Sequence, residues 1–155
     1  MKDKIKILFV CHGNYCRSPL AEVLFKDMAD KAGLADRFYI ASAGTSDEDE
    51  GSLPSSEIRR LLGLHGLGTG NKTAVQMSKS DYKKYDYIIG MDHHNLKVLH
   101  RMLGSDPEGK IHPLLDFSPH PRDIADPWVT WKYDKAYDDI HYGCQCLLQY
   151  FQAQF

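Results

Sequence analysis

The chain has few cysteines for its length, with four in 155 residues. They fall into two pairs, Cys11 with Cys16 and Cys144 with Cys146, whereas a disulfide scaffold would need a higher density. This scarcity excludes a small disulfide-rich secreted protein and favours free thiols in a reducing compartment. We therefore predict a cytoplasmic protein in which the surroundings of each cysteine decide its reactivity.

The sequence also lacks a basic excess and a long hydrophobic run. Its formal net charge is −2, so we expect no nucleic acid and no membrane among its partners. No apolar segment approaches the roughly 20 residues that span a bilayer. The first ten residues, MKDKIKILFV, place charges between short apolar pieces, which is typical of a strand and not of a signal peptide.

What the chain does contain is an alternation of short apolar runs and amphipathic segments. The runs at 5–10, 38–41, 85–91 and 111–115 have the length and composition of buried strands. Helices are predicted at 19–32, 54–64, 93–103, with Asp92 as the N-cap of this third helix, and 133–151. This alternation predicts an α/β fold, in which residues 1–155 form a single domain with a four-stranded parallel sheet and helices on both faces.

The first predicted helix has clear signals at both ends. Ser18 is the predicted N-cap, Pro19 the first helical residue and Gly33 the terminator. Apolar residues recur at helical spacing on one side of this helix. Glu22 belongs to the other side and is predicted to face solvent.

The loops after the first and fourth strands, 11–18 and 116–130, are the most unusual segments of the chain. Parallel strands bring their carboxyl ends to one edge of the sheet, where such folds place their sites. We therefore expect these two loops to lie together. The acidic run at 47–50 is interpreted as solvated surface.

The first of these loops reads CHGNYCRSP and has the spacing Cys11-x5-Arg17. A loop of this length, curled at a helix N-terminus, can direct several backbone N–H groups at one point. Gly13 permits the required turn, and Arg17 adds a planar set of donors for two oxygens of an oxyanion. The pattern predicts a cradle for a tetrahedral dianion with a sulfur at its base.

The same surroundings favour the reactive form of that sulfur. Helix N-termini and nearby arginines stabilise a thiolate relative to a thiol, and the Ser18 hydroxyl is close enough in sequence to donate a hydrogen bond to it. Cys11 is therefore predicted to be a nucleophile at neutral pH. The loop is not a Walker loop, because the pattern Gly-x4-Gly-Lys-Ser/Thr is absent.

Other uses of the paired cysteines are less favourable. A zinc site would need His141, Cys144 and Cys146, but the two cysteines point to different sides of a helix, so no metal is expected. The predicted compartment disfavours a structural disulfide between Cys11 and Cys16. A reversible disulfide between them stays open, because a reactive thiol beside a resolving thiol is typical of redox sensors.

Thiolate attack on a phosphate monoester requires a proton for the leaving oxygen. The second loop offers Asp126, with Asp123 and Asp116 as alternatives. Asp126 is preferred because Pro127 fixes the backbone and Trp128 suits the rim of a cleft that binds an aryl group. These residues together indicate phosphoryl transfer through a cysteine.

The stretches FVCHGNYCRSPLAE, SAGT, YDYIIGMDHHNL, LLDF and DIADPW follow one another over nearly the whole chain. In this order they resemble the low-molecular-weight protein tyrosine phosphatases. The resemblance implies a phosphate-binding loop after the first strand, a phosphocysteine intermediate, no metal and no cofactor. It also implies phosphotyrosine-containing proteins and small aryl phosphates as substrates, with inorganic phosphate as the product.

The resemblance further implies roles for individual residues. Cys11 would be the nucleophile, Arg17 the phosphate clamp and Asp126 the general acid. The hydrogen-bonded support of the loop would come from Asn14, Ser18 and Ser42. The residues implied to contact the substrate are His12, Gly13, Asn14, Tyr15, Cys16, Ser18 and Trp128.

Three positions depart from the pattern of that family. Residues 72–75, Lys-Thr-Ala-Val, stand where many members have His-x-Ala-Arg, so a histidine that often supports the loop is absent. Val129 follows Trp128 where a second aromatic residue is frequent, which leaves no regulatory tyrosine at that position. Tyr15 stands at an often aliphatic position and would form an aromatic rim with Trp128.

Three other functions compete with this one. An arsenate reductase would need relay cysteines near the third strand, and none occurs between Cys16 and Cys144. A protein arginine phosphatase is disfavoured, because that branch has a small polar residue where this chain has Tyr15. A phosphate-binding or docking module without activity would require neither a nucleophile nor an acid.

Overall fold

The computed structural model describes residues 3–155 and contains one sheet of four parallel strands. In chain order these are β1 (Ile5–Cys11), β2 (Phe38–Gly44), β3 (Tyr87–Gly90) and β4 (Ile111–Pro113). Their spatial order is β2-β1-β3-β4, which places β1 inside the sheet. The predicted parallel α/β fold is confirmed.

Helices cover both faces of this sheet. They are α1 (Arg17–Lys31), α2 (Ser56–Leu64), α3 (Asp81–Lys84), α4 (His93–Leu103), α5 (Pro127–Thr130) and α6 (Tyr133–Gln152), with 3₁₀ turns at Ala35–Arg37 and Leu114–Phe117. Ile7 and Phe9 pack with α1 and α6 on one face, whereas Leu8 and Val10 pack with α4 on the other. Successive residues of a strand point to opposite faces, which explains why β1 is apolar without interruption.

The start of α1 differs from the prediction. The helix begins at Arg17, and Ser18 is its second residue instead of its N-cap. The reason is that the Ser18 hydroxyl turns towards the sulfur of Cys11, which lies 3.0 Å away. Pro19 is tolerated because the N–H groups of a first turn have no partner within the helix. Gly33 follows the helix with a φ of +72°, as predicted for a terminator.

The extents of β2 and β4 also differ from the prediction. β2 continues beyond residue 41 to Gly44, because it pairs with β1 along its whole length, up to Cys11 opposite Gly44. A Cβ on Gly44 would lie 2.8–2.9 Å from backbone atoms of residues 12–14, so only glycine allows this approach. β4 ends at Pro113, which has no N–H for further pairing, and the chain turns into a 3₁₀ helix.

Candidate active site

A tight loop between β1 and α1 presents the sulfur of Cys11 at the carboxyl edge of the sheet. Cys11 is buried, and the backbone N–H of Ser18 donates to its Sγ over 3.4 Å. The Ser18 Oγ lies 3.0 Å from the same sulfur. A thiolate only accepts hydrogen bonds, so both groups of Ser18 can donate to the ionised form and stabilise its negative charge.

Asn14 holds the middle of the loop in an unusual backbone conformation. Its φ is +55°, in the left-handed region that few residues other than glycine adopt. The buried side chain donates through Nδ2 to Ser18 Oγ at 2.8 Å and to Ser42 Oγ at 3.0 Å. Its Oδ1 accepts from the N–H of Val75 at 3.1 Å. These bonds tie the loop to β2 and to the segment before α3.

Glu22 and Lys72 extend this support behind the loop. The Ser42 hydroxyl donates to Glu22 Oε1 at 2.6 Å, and Lys26 donates to Glu22 Oε2 at 2.6 Å. The Lys72 ammonium donates to the Ser42 carbonyl oxygen at 2.8 Å. The prediction that Glu22 faces solvent is therefore wrong. Glu22 is buried because Ser42 of β2 lies opposite it. We call Asn14, Ser42, Glu22 and Lys72 the rear network.

Arg17 is fixed by groups that sequence reasoning did not connect to it. Its Nη1 donates to Asp92 Oδ2 at 2.6 Å and to the Ile124 carbonyl oxygen at 2.8 Å. Burial alone would lower the pKa of Arg17, but the Cys11 sulfur and the Asp92 carboxylate raise it above its ordinary value. The guanidinium is therefore a permanent positive charge at the cradle. Asp92 was predicted only as the N-cap of α4, a role that it also fills.

Asp126 is the one acidic residue of the second loop that reaches this cradle. Its Oδ2 lies 3.6 Å from Nη2 of Arg17, and its Oδ1 accepts from the N–H of Trp128 at 3.1 Å, as the N-cap of α5. The alternative Asp123 instead accepts from His93 of α4. The other alternative, Asp116, lies in a 3₁₀ turn and does not line the cleft.

A cleft of about 500 Å³ opens above the loop. Its floor and one wall comprise Cys11, His12, Gly13, Tyr15, Cys16, Arg17, Asp126 and Trp128. The rings of Tyr15 and Trp128 meet edge to face, with their centroids 5.7 Å apart. The exposed Trp128 is thus positioned at the rim by an aromatic contact.

The rest of the cleft lining comes from the segment between β2 and α2 and from α2 itself, which sequence reasoning did not assign to the site. The segment contributes Glu48, Asp49, Ser52, Leu53 and Pro54, and α2 contributes Ser56 and Arg59. Residues 47, 48 and 50 are exposed, as predicted, and Asp49 is partly buried, but Glu48 and Asp49 also line the cleft, which the interpretation as solvated surface did not anticipate. Glu48 Oε2 lies 3.0 Å from His12 Nε2, and a Cβ on Gly13 would collide with the Asp49 carboxylate. Nothing in the local sequence pattern identifies this contact, because it joins residues far apart in the chain.

The two cysteines of the loop differ in character. Burial, with a contribution from nearby Cys11, raises the pKa of Cys16 to about 12, so Cys16 is a protonated thiol at neutral pH. All four cysteines are free thiols, and burial likewise raises the pKa of Cys144 in the core. Of this pair, Cys11 is the cysteine whose sulfur both the N–H and the hydroxyl of Ser18 approach.

His93 and Asp123 connect α4 to the loop that holds Asp126. Asp123 Oδ1 accepts from the backbone N–H of His93 at 3.1 Å and lies 2.6 Å from its ring Nδ1. The hydrogen bond to Asp123 and the charge of that carboxylate raise the pKa of His93 above its ordinary value of 6.5. Protonated His93 therefore stabilises the folded protein.

Replacement of His93 by glutamine should lower thermal stability in acid and not in base. Because the folded-state pKa of His93 is raised, its contribution is complete below the unfolded value and disappears as the pH rises through the folded value. We expect a small decrease in Tm at about pH 5.5 and none at about pH 9. His94→Gln, which changes the neighbouring exposed histidine, is the matched control. An equal decrease at both pH values would contradict the ion pair.

Comparison with known proteins agrees with this geometry. A sequence model of the low molecular weight phosphotyrosine protein phosphatase family matches residues 6–155. The chain is 36% identical to the low molecular weight protein-tyrosine-phosphatase YfkJ of Bacillus subtilis over 97% of both chains.

Solved structures show the same similarity in three dimensions. The crystal structure of YfkJ from Bacillus subtilis superimposes with a TM-score of 0.96 at 35% identity, covering 99% of this chain and 98% of the other. That of a Drosophila arginine phosphatase gives 0.86 at 35% identity, covering 95% and 98%. With the match of the family model, these similarities show that the chain belongs to the low molecular weight phosphotyrosine protein phosphatase family.

Proposed function

We propose that this protein hydrolyses phosphotyrosine in other proteins through a phosphocysteine formed on Cys11. The convergence of Cys11, Arg17 and Asp126 on one cleft is the observation that carries the proposal. A nucleophile, a fixed cation and a carboxylic acid are the three groups that a metal-independent transfer of a phosphoryl group to sulfur requires.

Substrate binding uses the loop from His12 to Arg17. The backbone N–H groups at the N-terminus of α1 and the guanidinium of Arg17 receive the dianion. Asp92 and the Ile124 carbonyl keep this guanidinium in place, so little reorganisation is needed when charge shifts in the transition state. Asn14 and Ser42 hold the loop from behind.

The reaction then proceeds in two in-line displacements. The Cys11 thiolate forms a bond to phosphorus while the bond from phosphorus to the phenolic oxygen breaks, and Asp126 gives its proton to that oxygen. In the second step a water molecule attacks phosphorus and loses a proton to the Asp126 carboxylate. Sulfur leaves as a thiolate, to which Ser18 donates, and inorganic phosphate is released.

The aromatic rim supports an aryl substrate. Tyr15 and Trp128 line the cleft and pack against each other, so together they offer an aromatic surface that a phenyl ring can contact. A phenol is also a better leaving group than an alkyl alcohol. Phosphoserine, with its short stem, would neither reach these rings nor leave as readily.

Phosphoarginine is a second candidate substrate, favoured by the acidic lining of the cleft and by one similar structure. The carboxylates of Glu48, Asp49 and Asp126 all line the cleft, and a guanidinium is a cation that such groups bind. One of the similar solved structures is that of an arginine phosphatase. Tyr15 argues for the aryl substrate, because its ring lines the cleft beside the cradle and can pack against a phenyl ring.

The substrates that we propose are cytoplasmic phosphoproteins. The free state of all four cysteines supports a reducing compartment. Within residues 3–155, no helix has the length and hydrophobicity needed to cross a bilayer. Nucleic acid is not expected as a partner, in keeping with the net charge of −2.

A direct assay compares a phosphotyrosine peptide, the matching phosphoarginine and phosphoserine peptides and p-nitrophenyl phosphate, each with EDTA present. We expect turnover of both aryl phosphates that EDTA does not reduce, and a kcat/KM for phosphotyrosine that exceeds those of the other two peptides. A preference for the phosphoarginine peptide would select the second candidate. Activity that EDTA removes would contradict the mechanism.

A further inference from the structure

Lys72 is a partly buried cation behind the catalytic loop, in the segment between α2 and α3. Its ammonium donates to the Ser42 carbonyl oxygen at 2.8 Å. Burial lowers the pKa of Lys72, and the Glu22 carboxylate opposes this shift. Removing an ammonium from water costs free energy, so interactions with the groups around Lys72 must offset the cost of its burial.

A continuous series of hydrogen bonds leads from Lys72 to the nucleophile. Ser42, whose carbonyl accepts from Lys72, accepts through its hydroxyl from Asn14 Nδ2 at 3.0 Å. The same amide nitrogen donates to Ser18 Oγ at 2.8 Å. Ser18 Oγ in turn lies 3.0 Å from Cys11 Sγ. Each member of this series is fixed by the next, and the left-handed turn at Asn14 depends on it.

The charges behind the loop give Lys72 an electrostatic role in addition to its structural one. Glu22 is a buried carboxylate that would repel both the Cys11 thiolate and a bound dianion. Lys26 offsets this charge from the solvent side, and Lys72 adds a second cation from the loop side. The Glu22 carboxylate and, less strongly, the Cys11 sulfur favour the charged form of Lys72, so the ammonium and the sulfur lie close enough to attract each other when both are charged.

We infer that Lys72 is a positioning residue of the phosphatase reaction, acting through Ser42 and Asn14 to hold the catalytic loop and to stabilise negative charge at Cys11. The inference deepens the proposed function and rests on it. Lys72 contacts neither substrate nor sulfur, so it is not a catalytic residue. Its charge, and not its length alone, is what the loop requires.

The test compares Lys72→Met with Lys72→Arg, which keeps the charge. A unit charge at about 10 Å in a medium of effective dielectric about 20 changes an equilibrium constant roughly tenfold. We therefore expect Lys72→Met to lower kcat/KM for the phosphotyrosine peptide about tenfold near pH 6 and less near pH 8, so that the acidic limb moves to higher pH. Lys72→Arg should retain most of the activity and the wild-type profile.

Lys26→Met is the matched control. It removes the cation that pairs with Glu22, but its side chain is half-exposed and makes no hydrogen bond to Ser42. Solvent screens such a charge, so this variant should keep the wild-type pH profile. A pH shift in Lys26→Met equal to that in Lys72→Met would overturn the inference.

A second measurement needs no turnover and separates this inference from the proposed function. The rate of alkylation of Cys11 by iodoacetamide is followed against pH, with and without inorganic phosphate, in wild type, Lys72→Met and Lys72→Gln. We expect both variants to require a higher pH for the same rate and more phosphate for protection. Unchanged alkylation and protection in folded variants would refute the role of Lys72, whatever the phosphatase assay shows.

Discussion

Replacing Cys11 with serine is expected to abolish hydrolysis of phosphotyrosine, with a loss in kcat of roughly 10⁴-fold or more. The Ser18 N–H and hydroxyl converge on the sulfur and stabilise a thiolate, whereas an alcohol in the same place stays protonated and is a poor nucleophile. The cradle itself is unchanged, so inorganic phosphate should still bind the variant. Steady-state kinetics with the phosphotyrosine peptide, and phosphate binding by calorimetry, measure the two effects.

The matched control for this change is Cys146→Ser. Cys146 is a free and partly exposed thiol on α6 and does not line the cleft. The replacement Cys146→Ser should therefore leave both kcat and KM at wild-type values. Substantial activity in Cys11→Ser would show that another group attacks phosphorus, and loss of phosphate binding would show that the variant has lost the cradle.

Replacing Asp126 with asparagine is expected to lower kcat for phosphotyrosine by about 10²- to 10³-fold. The amide keeps the size of the side chain and can accept from the Trp128 N–H, but it has no acidic proton to give to the leaving oxygen. The loss should be smaller for an aryl phosphate whose phenol is strongly acidic, because that oxygen leaves without a proton. The comparison of leaving groups of increasing acidity measures this dependence.

Asp123→Asn is the matched control for Asp126→Asn. Asp123 faces His93 of α4 and lies outside the cleft, so its replacement should not create a dependence on the leaving group. If Asp126→Asn lost activity equally with every leaving group, Asp126 would serve binding or loop structure instead of proton transfer. If Asp123→Asn showed the dependence, the assignment of the general acid would be wrong.

The sheet and the first loop were predictable because their signals are local. The apolar run of β1 and the spacing from Cys11 to Arg17 lie within thirteen residues of sequence, from Ile5 to Arg17, and need no knowledge of distant contacts. The parallel topology then follows from the alternation of strands and helices. The boundary of α1 was misjudged because Ser18 has two competing uses, capping and contact with sulfur, and the second one operates.

Residues that join distant segments were not predictable in the same way. Glu22 has the spacing of a solvent-facing helix residue, but Ser42 of β2 turns it into a buried acceptor. Asp92 reads as an N-cap, and its bond to Arg17 becomes visible only when β3 lies beside β1. Glu48 is an exposed member of an acidic run, and nothing in that run indicates its contact with His12. Polar contacts across 20 to 75 residues of chain leave no periodic pattern.

The most direct test of the mechanism is to locate the phosphoryl group during turnover. Wild-type enzyme is mixed with the phosphotyrosine peptide and quenched within one turnover, at a pH at which phosphocysteine and phosphohistidine both survive. Digestion and mass spectrometry then map the modification. We predict one phosphoryl group on Cys11 that disappears as inorganic phosphate forms. A phosphoryl group on His12 or on any other residue, or phosphate release without a phosphoenzyme, would contradict the mechanism.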